Sequence, residues 1–253
     1  MNEINTLGID LAKHVFHVHG QDPQGNRIVN KRLKSRKKLS EYLAKLPACV
    51  VAMEACWGSQ HWARLAQSYG HEVRVLSPQY VKAFARGNKT DERDAYAICE
   101  AAQRPQCDTV RIKSLEEQRI QMVLRLRERV MGNKVELMNQ TRGLLSDYGI
   151  TIPQGTKALK AALHEVGEGK YPGLQGFVYQ ELMVLYEELL SLEGRIERYT
   201  RILAEYAKTN DACQRLMTIP GIGPISSVAL VSKVGDCEQF KNGKKLAFNF
   251  HSN

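Results

Sequence analysis

The sequence predicts an α/β protein: an N-terminal mixed sheet covered by helices, followed by a largely helical second half. Three observations carry that prediction. Short apolar runs alternate with helix-like segments over the first hundred or so residues, the pattern of a sheet with helical covers. One of those runs, CVVAM at 49–53, is almost purely apolar, the type buried on both faces of a sheet. From about residue 111 strand-like runs stop and long, charged, periodic segments take over.

Residues 5–9 predict a strand running into Asp10. HVFHVH at 14–19 predicts a second, DPQGN at 22–26 a turn, and 27–33 a third strand, so the chain opens as an antiparallel meander. The basic stretch 36–45 predicts a helix ending near Pro47. Residues 59–69 predict a helix closed by Gly70, and HEVRVL at 71–76 a strand stopped by Pro78. Residues 79–85 and 91–103 predict helices. The order β-β-β-α-β-α-β-α-α is that of the ribonuclease H-like fold.

Residues 114–147 predict one long helix. The Gly- and Pro-rich 149–176 predicts a loop carrying a short helix at 156–166. Val178, Leu182, Leu185, Leu189, Leu192, Ile196, Tyr199, Leu203 and Tyr206 then alternate in steps of four and three, the a/d seam of a coiled coil. The two long helices can pair as a hairpin or between subunits, and the regular seam favours a homo-oligomer. QRLMTIPGIGPISSVALVSKVGD predicts helix, turn, helix; such a turn presents backbone N–H groups to a phosphate at Gly221 and Gly223. The expected domains are 1–110, 111–208 and 209–253.

The chain of 253 residues carries a net charge of +9. Eight Lys and Arg fall between 27 and 45 against Glu41 alone. Clustered cations favour a polyanionic partner, because neutralising phosphates releases counterions. Lys31, Lys34, Arg36, Lys37 and Lys38 are candidate nucleic-acid contacts. No apolar stretch reaches membrane-spanning length, and the N-terminus lacks signal-peptide character. The six cysteines form no CxxC pair, which argues against a zinc site or disulfide framework and for a reducing cytosol.

Four acids carry the chemistry. Asp10 ends the first strand of the sequence and Glu54 the CVVAM strand, with Gly8 allowing close backbone approach. Asp91 and Asp94, at i and i+3, share a helix face. Together they could hold a hard cation such as Mg²⁺ for phosphodiester chemistry. Crowded acids raise one another's pKa unless a cation is present. Lys89 and Arg93 lie beside them for phosphate oxygens. His14, His17 and His19 read as ordinary strand residues. Trp57, Trp62 and Tyr80 could stack on bases, although aromatic residues after a strand more often belong to the core.

GIDLAKHVF, MEACWGS, LSPQYVKAF, KTDERDA and TIPGIGPISSVALVSKVGD, in that order, resemble transposases of insertion-sequence family 110, relatives of the Piv-type DNA invertases. The resemblance runs from residue 6 to about 246. It implies a RuvC-like N-terminal domain whose catalytic DEDD tetrad falls on Asp10, Glu54, Asp91 and Asp94, a coiled-coil oligomerisation region, and a C-terminal transposase domain. It also implies Mg²⁺, DNA as substrate, a structured bridge RNA as guide, and multimeric action. The family's nucleophilic serine belongs to a Ser-Gly-Gly type motif downstream of IPGIG. Here the chain continues EQFKNGKKLAFNFHSN; Ser226, Ser227 and Ser252 do not match that motif. The expectation is therefore a shortened copy with a partial C-terminal domain. The alternative function is a catalytically incomplete nucleic-acid-binding oligomer or inhibitor of the full-length transposase.

Overall fold

The computed structural model describes residues 3–84 and 90–235 of the chain. Lys89 and Ser252, singled out above, lie outside the described residues. Two compact units emerge, one through Lys113 and one from Ser114.

The first unit runs β1 (Thr6–Asp10), β2 (Phe16–Gln21), β3 (Arg27–Leu33), α1 (Arg36–Lys45), β4 (Val50–Glu54), α2 (Ser59–Ser68), β5 (Glu72–Leu76), α3 (Pro78–Phe84) and α4 (Asp91–Ala102). The sheet order is β3-β2-β1-β4-β5. β1–β2 and β2–β3 pair antiparallel, while β1–β4 and β4–β5 pair parallel. The mixed sheet follows from local chemistry. Asp22 accepts hydrogen bonds from the backbone of Gln24 and Asn26, and Gly25 supplies a φ of +84°, closing β2 onto β3 in a tight turn. β3 then runs in the direction of β1, and α1 carries the chain from β3 across to β4, which pairs parallel with β1. β2 begins at Phe16 rather than at residue 14, so His14 stays exposed in the β1–β2 connection. Pro78, expected to stop a strand, also opens α3, where its missing N–H costs nothing.

Two apolar layers sandwich the sheet. On one face Leu7, Ile9, Val18, Val51 and Met53 pack with Leu39 and Leu43 of α1 and Trp62, Ala63 and Ala66 of α2. On the other, Ala52 and Leu76 pack with Ala97, Ile98 and Ala101 of α4. Strand alternation turns Gly8 toward α4. Gly8 pairs with Ala52, so two small residues lie side by side beneath the helix. A Cβ on Gly8 would stand 2.3 Å from the Ala95 carbonyl oxygen and 2.7 Å from the Cys99 nitrogen. Polar contacts fix the helix further along: Gln21 donates to Glu100 at 2.9 Å, Gln103 donates to Gln21, and Arg74 donates to the Ala102 carbonyl at 2.8 Å.

The second unit contains α5 (Leu115–Ser146), α6 (Thr156–Gly167), a single 3-10 turn at Pro172–Leu174, α7 (Phe177–Thr209), α8 (Asp211–Met217) and α9 (Pro224–Val234). Ser114 and Glu117 form a reciprocal capping box that starts α5. The heptad seam lies along α7 and is occupied within the chain. Leu182, Leu189, Leu192 and Tyr199 are buried against Val130, Leu137 and Leu145 of α5 and Leu159 and Leu163 of α6. Arg127 donates to Thr200 at 2.9 Å and Lys134 to Glu193 at 2.9 Å. Seven residues up α5 are thus seven down α7, an antiparallel hairpin. Leu203, Ala207, Cys213 and Val228 close its other end with Ile120.

Glycine positions give a direct check on this packing. Gly8→Ala is expected to lower stability by about 1–3 kcal/mol through overpacking. Gly132→Ala, where the added Cβ meets nothing within 4 Å inside α5, is expected to raise it by about 0.5–1 kcal/mol. Denaturant unfolding of the two variants reads both signs.

Candidate active site

Asp10 and Glu54 end neighbouring parallel strands. Ile9 pairs with Met53, so the two acids are the next residues along adjacent strands, about 4.8 Å apart at the backbone. Asp10 also pairs across the sheet with His17 of β2. α4 brings the other two acids. Thr90 caps it by accepting from the Arg93 backbone N–H at 3.4 Å, and Asp91 and Asp94 occupy its first turn, where they also answer the helix dipole. Because Gly8 lets α4 rest on β1, that first turn lies over the carboxyl end of β1. Asp91 is exposed; Asp10, Glu54 and Asp94 are half-buried.

The electrostatics register the gathering. Burial, then the charges of Asp94 and Asp91 and lastly that of Glu54, push the Asp10 carboxyl up to about 6; His17 acts in the opposite sense. All four predicted acids therefore share one field. The donors are carboxylate oxygens, which suit a hard divalent ion. Among the described residues no three His, Cys, Asp or Glu side chains stand close enough to form a ready-made metal cage. Side-chain rotation would have to complete one.

The structure adds two residues whose place the sequence did not show. His17 Nε2 lies 3.3 Å from Asp91 Oδ2, and that nitrogen is buried without a well-aligned hydrogen bond. Trp57 follows Glu54 by three residues and is 96% exposed, whereas Trp62 is 2% exposed and edge-on to Phe16 in the core. Tyr80 is half-buried and donates to Asp108 at 3.2 Å. His19, on the same strand face as His17, is buried against Tyr96 of α4. Strand alternation signalled that His17 shares the acids' side of β2, but only the placement of α4 gives it a partner.

The other sequence-predicted residues spread wider. Lys31 on β3 sits over the Tyr42 ring, and Arg36 at the start of α1 sits over the Trp62 ring. Lys34 and Lys38 are exposed, and Lys37 pairs loosely with Glu41. Arg93 is exposed on α4, one residue before Asp94. Gly221 and Gly223 belong to the second unit. Gly221 takes a φ of +89° and Gly223 caps α9 ahead of Pro224.

Fold and site together define an α/β protein with an acidic centre at the carboxyl ends of its parallel strands. Comparison with known proteins makes the class specific. The transposase family model for IS110-type DEDD enzymes matches residues 7–150. A second, described as transposase IS116/IS110/IS902 family, matches residues 213–248. A Pseudomonas aeruginosa protein named "Probable family 20 transposase" is 39% identical over 245 residues, covering 96% of this chain and 72% of that protein. The transposase for insertion sequence element IS1111A of Coxiella burnetii is 37% identical over 247 residues, covering 98% of this chain and 68% of that protein. The transposase for insertion sequence element IS1328 of Yersinia enterocolitica is 35% identical over 244 residues. The chain belongs to the IS110 family of insertion-element transposases. No helix among the described residues is long and apolar enough to cross a membrane.

The raised Asp10 pKa has a signed consequence. An acid whose folded pKa lies above its unfolded value stabilises the fold most below the unfolded pKa, near 3.8, and loses that contribution as pH rises through about 6. In the absence of divalent ions, Asp10→Asn is expected to raise the melting temperature by a few degrees at pH 7.5. That gain should shrink as pH falls from 6 to 4, where wild-type Asp10 takes up its own proton. Melting curves across this range check it.

Proposed function

We propose that the first unit is a ribonuclease H-like domain of the RuvC type in which Asp10, Glu54, Asp91 and Asp94 hold Mg²⁺ and act on the phosphodiester backbone of the mobile element's DNA. The observation that carries this is the gathering at Asp10: burial, and then the charges of Asp94, Asp91 and Glu54 brought in from one helix turn and a second strand end, push its carboxyl up to about 6. The sheet order β3-β2-β1-β4-β5, with acids at the carboxyl ends of β1 and β4, supports the fold assignment. A divalent ion bound there would neutralise charge building on a phosphate under attack. The chain's own residues supply the rest. Asp10 and Glu54 sit on rigid strands, α4 carries Asp91 and Asp94 as a unit, and His17 holds Asp91 from the β2 side. Arg93 on α4 is the candidate phosphate contact at the site itself, and Lys89 is given the same role from the sequence alone.

The same reading assigns the basic stretch holding Lys31, Lys34, Arg36, Lys37 and Lys38, and the turn at Gly221 and Gly223, to nucleic acid: DNA, together with a bridge RNA guide as the family implies. In this reading residues 111–208 serve as the long-helix oligomerisation region, and residues 209–253 belong to the C-terminal transposase domain, which the second family model matches at 213–248. The seam of α7 lies inside the chain's own hairpin, so assembly as a homo-oligomer has to draw on another face.

Calorimetric titration with Mg²⁺, paired with nicking of a branched DNA, tests the central assignment. Wild type is expected to bind Mg²⁺ with Asp10→Ala, Glu54→Ala and Asp94→Ala each weakening binding at least tenfold, and to nick DNA only with the ion present. Mg²⁺ binding and nicking left intact by Asp10→Ala would contradict it. DNA binding with no Mg²⁺-dependent nicking would favour the catalytically incomplete binder instead.

A further inference from the structure

The connections leaving β1 and β4 enclose a second feature beside the acids. A cavity of about 500 Å³ opens there, lined among others by Lys13, His14, Arg36, Cys56, Trp57 and Trp62. It lies at the carboxyl ends of the central parallel pair, where the chain leaves β1 toward β2 on one side and β4 toward β5 on the other. In open α/β sheets, ligands bind at such a point of divergence. The cavity is next to the acids: Leu11 of its lining follows Asp10 directly, and Cys56 stands two residues after Glu54.

Trp57 has a conformation that the fold enforces. The Ala55 N–H donates to the Leu76 carbonyl at 2.8 Å, and Ser59 Oγ donates to the Cys56 carbonyl at 2.9 Å. Gly58 takes a φ of +97°, which a side chain would resist, and its carbonyl accepts from the Trp62 N–H at 3.2 Å. The loop is tied at both ends, yet its largest side chain is 96% exposed. The indole is thus presented to solvent from a fixed turn, with its ring face available for stacking.

The chemistry of the cavity names the partner. Its lining offers an aromatic face and the cations Lys13 and Arg36, with His14 as a further donor and no carboxylate. Arg36 is held in place over the Trp62 ring at 4.9 Å. An aromatic platform beside cations fits a nucleobase with its phosphate, and base–aromatic stacking tolerates any sequence. A paired base keeps its faces stacked in the duplex, so the occupant is unpaired. We propose that Trp57 stacks on an unpaired DNA base next to the strand presented to the acids, with Lys13 and Arg36 holding its phosphate. DNA is the occupant because the cavity adjoins the acids; this rests on the proposal that they act on DNA.

The chain has two tryptophans and both line the cavity, so quenching reports its occupancy, and the affinities of the Trp57 variants are read from the anisotropy of a labelled oligonucleotide. Wild type is titrated with a single-stranded DNA oligonucleotide, the matching duplex, and RNA of the same sequence, without Mg²⁺. Saturable quenching by single-stranded DNA is expected, absent with duplex. Trp57→Ala should weaken single-strand affinity by about 5- to 150-fold, Trp57→Phe should recover most of it, and an unchanged circular dichroism spectrum shows both variants folded. Equal quenching by duplex, tighter binding of RNA, or undiminished affinity in Trp57→Ala would overturn the proposal. The two readings are separated by measuring quenching without Mg²⁺ and Mg²⁺ binding by calorimetry without DNA, with Trp57→Ala expected to bind Mg²⁺ as wild type does: a failed acid site leaves the stacking result standing, and a failed stacking result leaves Mg²⁺ binding standing.

Discussion

The close approach of α4 to β1 is the constraint on which the acidic centre depends. A glycine at position 8 and an alanine at 52, paired side by side, leave the sheet locally without side chains on that face. α4 answers with small residues: Ala95, Ala97, Ala101 and Ala102 are buried. Backbone then meets backbone at a distance no Cβ tolerates. That contact decides where the first turn of α4 falls, and the first turn carries Asp91 and Asp94. Packing without side chains at one point therefore positions charge two residues further along β1.

The gathering opposes stability. Burial and the like charges of Asp94, Asp91 and Glu54 raise the pKa of a half-buried carboxyl to about 6, while His17 acts in the opposite sense. Sites that gather like charge are tolerated where function needs them, and the surrounding packing holds them in place. Here the buried layers above and below the sheet, together with the hydrogen bonds of Gln21 to Glu100 and of Gln103 to Gln21, hold α4 against that repulsion.

Much of this was legible in the sequence. Apolar runs and turn residues located β1, β3, α1 and β4 to within a residue, because each is decided by local pattern and local turn chemistry. Asp10, Glu54, Asp91 and Asp94 were legible because strand ends and i, i+3 spacing are themselves local. What escaped depends on tertiary placement. His17 looked like any strand histidine until α4 brought Asp91 to 3.3 Å. Trp57 and Trp62, five residues apart, looked alike; Gly58 turns the chain between them so that one faces water and the other Phe16. The α7 seam was plain, but its partner was not. Apolar spacing specifies a stripe and not what covers it, and the covering proved to be α5 and α6 of the same chain.

The central claim is that four acids distant in sequence serve one divalent ion. Crystals of the protein grown with Mn²⁺, measured at the manganese absorption edge, test it most directly. The account predicts an anomalous peak bounded by Asp10, Glu54 and at least one of Asp91 and Asp94. A peak elsewhere, or none at these carboxylates with the ion in excess, would contradict it.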